Sequence, residues 1–381
     1  MAFVFALVSF LLANWFARIP AVQLELGLSH GDLGLALVGL SLGTVAAMLA
    51  SGRLVARLGA GRVTWWAVLA LCVVAPTPAL AWSWASLTAA LGLLGLVNGL
   101  ATVAANAEAA AVEARSGGVP MMVSFHAMFS LGGVAGAATG GLAAGVGLGP
   151  LAHLLLLGSA GALAVLGRRG TLDPAPPPTF ADAAPVVALP RGPLLGLALV
   201  CFATMLGEGA ASDWSAVLLA RELGAGPLAA GLGYVLFAAG MTVGRLNGDA
   251  LCRRLGEVAV VRGGAFLAAS GLAVGLAVGH PLAAGLGFAC LGLGLAGIVP
   301  IAIRRAASVP GLAPGVGVAA VAGLGFTGFL AGPPVVGLLA EQVGLAAALG
   351  VVPALALGVG LAARRVLQTS PATGRVVASA P

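Results

Sequence analysis

Four ionisable side chains, Glu108, His126, Glu208 and Asp213, stand inside stretches that are otherwise almost wholly apolar. If those stretches cross a bilayer, each such group costs about 2.5 to 3.5 kcal/mol on insertion scales and needs a structural or functional reason. Glu208 is the first candidate for carrying a proton or holding a substrate. It lies 14 residues beyond Leu194, which at 1.5 Å per residue puts it about 21 Å into its stretch, past the midplane. The competing reading is a carboxyl bonded to a neighbouring helix only to fix packing. Asp213 follows five residues later, about 140° round a helix, so its chemistry is separate. It reads either as a substrate contact or as an interfacial acid paired with Arg18 or Arg221.

Glu108 and His126 each stand nine residues from Gly117, and antiparallel helices joined there hold them at one depth. Histidine titrates near neutral pH, so the pair could relay a proton. Arg115, seven residues beyond Glu108 on nearly the same face, offers the acid a plain gating or anchoring partner instead. Asn98, Thr102 and Asn106 are spaced four apart and form one slowly drifting polar stripe. Neutral donors and acceptors of this kind fit a hydroxylated or zwitterionic ligand, and equally fit bonds between helices. Asn14 and Trp15 could complete a cavity with them, Trp15 serving otherwise as an interfacial anchor.

The elements that must position these groups are membrane spans. Hydrophobic residues fill 60% of 381 positions and charged residues 8%, against about a quarter charged in a soluble domain. That excludes a water-soluble fold. The 60 glycines are scattered through Leu/Ala/Val runs, as where membrane helices pack closely. A span needs about 20 mainly apolar residues, and twelve runs of nearly that length or more can be drawn. They are 2–19, 33–50, 63–81, 87–111, 121–146, 151–166, 194–220, 228–244, 263–279, 281–303, 314–339 and 345–363. Met1 to Ala13 lacks the basic region of a cleaved signal and reads as the first span, its abrupt beginning allowing for a start codon further upstream.

All 18 basic residues are arginines, and 16 fall in connections that share one side, leaving Arg18 and Arg221 on the other. This positive-inside pattern puts both termini in the cytosol and reads the net charge of +6 as topology, not nucleic-acid binding. The polar stretch 167–193 carries Pro174, Pro176, Pro177, Pro178, Pro185 and Pro190 and reads as an extended cytosolic linker. It separates 1–166 from 194–363, with 364–381 as a cytosolic tail.

Cys72, Cys201, Cys252 and Cys290 are isolated and read as packing residues. His30, His153 and His280 lie apart, read as solvated imidazoles near the outer surface. With no clustered metal ligands, no nucleophile beside a base and no paired acids, a membrane enzyme is disfavoured and no cofactor is expected. Without a single lysine no phosphate-binding loop can form, so ATP hydrolysis on this chain is excluded.

The two halves echo each other. Asn14-Trp15 is matched by Asp213-Trp214, Glu25-Leu26-Gly27 by Glu222-Leu223-Gly224, and Gly52-Arg53-Leu54 by Gly244-Arg245-Leu246, at separations of 199, 197 and 192 residues. Together they argue for duplication. On these residues, and on the run from Gly52 to Arg62, the chain resembles the major facilitator superfamily across its whole length. Gly52, Arg53, Arg57, Gly59 and Arg62 match the cytosolic gating loop of that family. Ala56 stands where the family has an acid that latches the cytosolic side, a part Asp249 could take in the second copy.

Gly132 to Gly141 is similar to a glycine run of exporters in the family, with Ala137 in place of its proline, and Gly328 to Pro334 keeps the proline. The stretches from Ala104 to His126 and from Glu208 to Trp214 resemble a poorly characterised bacterial branch akin to the fucose/proton symporters. Thr102 stands where those symporters carry a proton on Glu.

The resemblance implies an all-α polytopic membrane protein with twelve transmembrane helices in two pseudo-symmetric six-helix halves. It implies a monomeric secondary transporter of the cytoplasmic (inner) membrane that moves a small-molecule substrate by alternating access with proton coupling. Uptake of a sugar-like or small polar metabolite is the expected activity. Proton-driven efflux of amphipathic compounds is the alternative, and a non-transporting receptor or scaffold the alternative of another class.

Overall fold

A computed structural model describes residues 1–117, 121–168, 189–309, 312 and 314–368, nearly all of them helical. The first set of helices is α1 (Ala2–Phe16), α2 (Ile19–Glu25), α3 (His30–Leu58), α4 (Ala60–Val74), α5 (Trp84–Arg115), α6 (Met122–Gly145) and α7 (Pro150–Leu166). The second begins with α8 (Pro193–Val217), which runs into a π-helical turn over Leu218–Glu222. It continues through α9 (Pro227–Leu255), α10 (Glu257–Val278), α11 (Pro281–Leu295), α12 (Ile298–Ala307), α13 (Pro314–Val343), α14 (Leu345–Ala348) and α15 (Val351–Gln368). Most of the expected linker, at 169–188, and the tail from 369 onward lie outside the described residues, and Arg169 and Arg375 with them.

Among the described residues, ten helical stretches are long and apolar enough to cross a membrane, and α1 with α2 makes an eleventh that bends by 41°. The remaining apolar helix, α7, has 17 residues and so a length of about 25 Å. Starts are written locally. Proline in the first turn of α7, α8, α9 and α11 lacks only an N–H that would have had no partner. Ser29 accepts the Asp32 N–H at 3.1 Å to open α3, and Ser83 with Ser86 forms a reciprocal cap on α5.

The gating stretch foreseen as a loop is helix almost throughout. Helix α3 carries Gly52, Arg53 and Arg57, α4 carries Arg62, and Gly59 alone joins the two with φ 86° and ψ 143°. Gly256 joins α9 to α10 in the same way, with φ 81° and ψ 153°, a region open in practice to glycine only. Asp249 likewise sits inside α9 rather than in a connection. Arginines at a helix end reach water by their long stems without unwinding the backbone, so hydropathy ends these helices too early.

Glycines repeat the same packing twice. Gly43 rests on the Gly92 carbonyl of α5 and Gly95 on the Leu40 carbonyl of α3, with no room for a Cβ. Gly240 rests on the Ala289 carbonyl and Gly292 on the Phe237 carbonyl, every partner being 197 residues from its counterpart. Gly132 on Ala6 and Gly328 on Phe202 repeat at 196 residues, so the glycine runs of α6 and α13 serve to seat α1 and α8. Duplication is therefore visible in backbone contacts as well as in the sequence echoes.

The two sets of helices meet along two seams. Gly34 of α3 lies against Pro333 and Gly337 of α13, and Gly141 of α6 lies against Gly231 of α9. Both seams sit towards the arginine-poor ends of the helices. At the arginine-bearing ends, by contrast, Gly52 of α3 and Gly248 of α9 face open space.

Candidate functional site

Between the seams and the arginine-bearing end lies a cavity of about 550 Å³, in the range of small-molecule sites. Both sets of helices build it. Thr102 and Asn106 come from α5, His126 from α6, Glu208 from α8 and Arg245 from α9. Phe5 of α1, Phe129 of α6, and Phe326 and Phe329 of α13 give it aromatic walls, with Met205 of α8. A second cavity of about 270 Å³ shares His126, Arg245, Ala296 and Pro300 with the first and continues past Asp249 to Arg304. The path from the central cavity thus leads to the arginine-bearing end.

Local breaks shape this wall. The tenth expected span is two helices, α11 and α12, interrupted at Ala296 and Gly297 beside the cavity. The corresponding point of α5, Gly99, is unbroken. Interruption in one half only turns Val299 and Pro300 into the cavity and leaves the polar stripe of α5 straight opposite them.

The Glu208 carboxylate approaches the Arg245 guanidinium at 3.8 Å, an ion pair without a tight hydrogen bond. Both groups remain partly accessible, at 18% and 41%. His126 lies against Phe5 with ring centroids 5.3 Å apart and planes tilted by 39°, and lines the junction of the two cavities. Asn106 donates to the Thr102 carbonyl at 2.8 Å and keeps its carbonyl oxygen for another partner. Asn98 lies outside the cavity wall, its Oδ1 buried without a hydrogen bond.

Other foreseen roles change. Glu108 is buried and accepts from Arg115 at 2.7 Å, so the anchoring pair on one helix face forms. No hydrogen bond or ion pair among the described residues joins Glu108 to His126. Asp213 is buried but meets neither Arg18 nor Arg221. Arg18 instead donates to His153 Nδ1 at 3.0 Å and to the Leu148 carbonyl, tying the bend between α1 and α2 to the turn before α7. His153 is accordingly buried rather than solvated. Asp249 makes no ion pair among the described residues; Glu257 takes Arg305 at 2.6 Å and Arg304 at 3.8 Å.

Asn14 and Trp15 are fully packed between helices and do not line the cavity. Asn14 accepts from Thr139 Oγ1 at 3.1 Å and so bonds α1 to α6. Losing that bond in Asn14→Ala is expected to lower stability by about 1 kcal/mol, seen as a lower melting temperature with substrate affinity unchanged.

Two features escape a reading of the sequence. Arg245 belongs by count to a connection, yet a mid-membrane acid asks for a cation, and Arg245 is the arginine nearest the eighth apolar run. The aromatic lining comes from three helices far apart in the chain and has no local signal.

Over residues 1–313 the sequence matches the Major Facilitator Superfamily. It is 34% identical over 355 residues to an uncharacterised MFS-type transporter of Yersinia pestis, covering 93% of this chain and 92% of the relative. It is 31% identical over 356 residues to membrane protein MosC of Rhizobium meliloti, covering 92% of this chain and 85% of that protein. Two solved structures share the fold. A mutant of the nucleoside transporter NupG superposes with a TM-score of 0.73 at 14% identity, covering 96% of this chain and 98% of that one. A bacterial homologue of the human lysosomal transporter Spinster gives 0.71 at 15% identity, covering 98% and 97%. Paired halves, glycine seams and a cavity between them are the features expected from such relatives, and the chain belongs to the Major Facilitator Superfamily, a class of membrane transporters and not of enzymes.

Proposed function

We propose that this transporter takes up a small hydroxylated molecule, sugar-like in chemistry, together with a proton, and that Glu208 is the group both share. The observation that carries the reading is the Glu208–Arg245 pair in the wall of the central cavity. At 3.8 Å without a tight hydrogen bond, the pair is close enough to hold the carboxylate charged and loose enough to release it on protonation. Thr102 and Asn106 supply neutral hydrogen bonds beside it, and the phenylalanine rings supply flat apolar faces against which a sugar ring can lie.

By the positive-inside rule the arginine-bearing end is the cytosolic one, in the inner membrane of a bacterium, with 1–166 and 194–363 as the two moving halves. The arrangement described is then inward-facing: closed at the glycine seams and open through His126, Arg245 and Arg304. The protein acts as a monomer, because both halves of the site lie on one chain. Among the described residues Asp213 has no cation beside it, it has no place in the cavity wall, and it serves packing in this reading.

A screen of purified protein for thermal stabilisation by sugars, nucleosides, amino acids and drugs identifies the ligand. A ligand at 100 times its dissociation constant stabilises by about 2.7 kcal/mol. In proteoliposomes that ligand should accumulate when the outside is made acidic and should cease to do so with a protonophore. Accumulation under the opposite gradient would replace this reading with efflux of an amphipathic compound, which the Phe5, Phe129, Phe326 and Phe329 walls favour.

A further inference from the structure

The seam between α3 and α13 is made largely of glycine and backbone, surfaces that slide and separate without much to grip. Two side chains do grip: midway along, the Ser41 hydroxyl donates to the Phe329 carbonyl at 3.1 Å, and at the arginine-poor end a carboxylate takes hold. Glu341, near the end of α13, accepts the Gly31 N–H through Oε1 at 2.6 Å, a bond across 310 residues of sequence and across the two halves. The Ser29 hydroxyl and the His30 N–H lie near the same carboxylate. It therefore occupies the first turn of α3, where helix N–H groups have no partners within the helix and the helix dipole favours negative charge.

A second carboxylate of the same half stands close by. Glu222 is held by the Leu345 and Ala346 N–H groups at 2.6 and 3.0 Å, and its Oε1 lies 3.8 Å from His30 Nε2. His30 and Trp214 meet in an edge-type contact, their ring centroids 6.1 Å apart and their planes at 70°. Nothing equivalent joins the halves at the arginine-bearing end among the described residues, where Gly52 and Gly248 face open space and Asp249 is unpaired.

We infer that Glu341 is the latch of the outer gate: its carboxylate holds the N-terminus of α3 while the outer end is closed and must release it whenever the cavity opens outward. The bond exists in one of the two transport states only, so its strength biases the equilibrium between them. The bias follows from membership of a two-state transporter family and makes no use of the coupling ion or of Glu208.

Paired spin labels test it in reconstituted full-length protein with Cys72, Cys201, Cys252 and Cys290 replaced by alanine. Labels at Leu24 and Leu282 report the outer end, and labels at Leu58 and Leu255 the inner end; all four residues are exposed. Glu341→Ala should raise the ratio of outward-open to inward-open protein by about two- to fivefold, the effect of losing one solvent-exposed charge at a helix N-terminus. The outer distances lengthen and the inner ones shorten. Glu341→Gln, which keeps an acceptor oxygen and loses the charge, should fall between. Asp32→Asn removes an acid from the same turn of α3 without touching the other half, and should leave the distances as they were. Melting temperatures near the parent's confirm that each variant is folded. The latch is refuted if the Glu341→Ala distances superimpose on the parent's, or if Asp32→Asn shifts them equally.

Discussion

Glu208→Gln is expected to uncouple transport without stopping it. If one proton accompanies one substrate, a difference of one pH unit supports about tenfold accumulation, since a pH unit is worth about 1.36 kcal/mol. In the glutamine variant accumulation should drop to the level of the medium while exchange of labelled for unlabelled substrate continues. Gln fills the space of the protonated acid and keeps a hydrogen-bonding side chain against the cavity, but it cannot take or release a proton. The partner responds differently. Arg245→Gln leaves the Glu208 carboxylate in a largely apolar wall with its nearest cation gone, and removing one member of such a pair costs more than the pair contributes. That variant should lose both accumulation and exchange. The double variant removes both charges and should regain exchange but not accumulation. Full proton-driven accumulation by Glu208→Gln would end the assignment of coupling to this residue.

The pair also shows how far the sequence can be read. Hydropathy and arginine placement are sums over many residues, and the helices they mark are found where expected. Glu208 stood out because a lone acid in an apolar run is expensive whatever surrounds it. Arg245 did not, since its own neighbours look like the start of a connection, and only the prolongation of α9 to Leu255 brings it back beside the cavity. Asn14 and Trp15 look like ligands by type, but the face of a helix that meets a partner is decided by packing, and here Thr139 of α6 claims Asn14. Glu108 and His126 share no bond for the same reason: equal depth is set by counting residues, contact by rotation about the helix axis. The glycine register was written in the sequence at 197 residues, but among 60 glycines it becomes visible only once the carbonyls they touch are known.

That register leads to the second large effect, a contrast between two glycines. Gly95 packs α5 on the Leu40 carbonyl of α3, within one half, whereas Gly337 packs α13 on the His30 carbonyl and on Gly34, between halves. In each case an added Cβ meets backbone, which cannot turn aside as a side chain can, so a helix must move. Alanine is the better helix former by about 1 kcal/mol, so any loss on substitution is steric. For Gly95→Ala the strain is present in every transport state, because α3 and α5 travel together. Its outcome should be a fall in stability of about 1 to 3 kcal/mol, read as a lower melting temperature, with the balance of states unaltered. For Gly337→Ala the strain exists only while the outer seam is closed, and the transporter escapes it by opening outward. The same 1 to 3 kcal/mol then appears as an increase of about 5- to 150-fold in the outward-open to inward-open ratio, with little change in melting. Transport under proton drive should slow in proportion, since each cycle must pass through the disfavoured closed seam. If Gly337→Ala instead melts early with its distance distributions unchanged, α3 and α13 do not separate during transport, and the seam is a fixed joint of the fold.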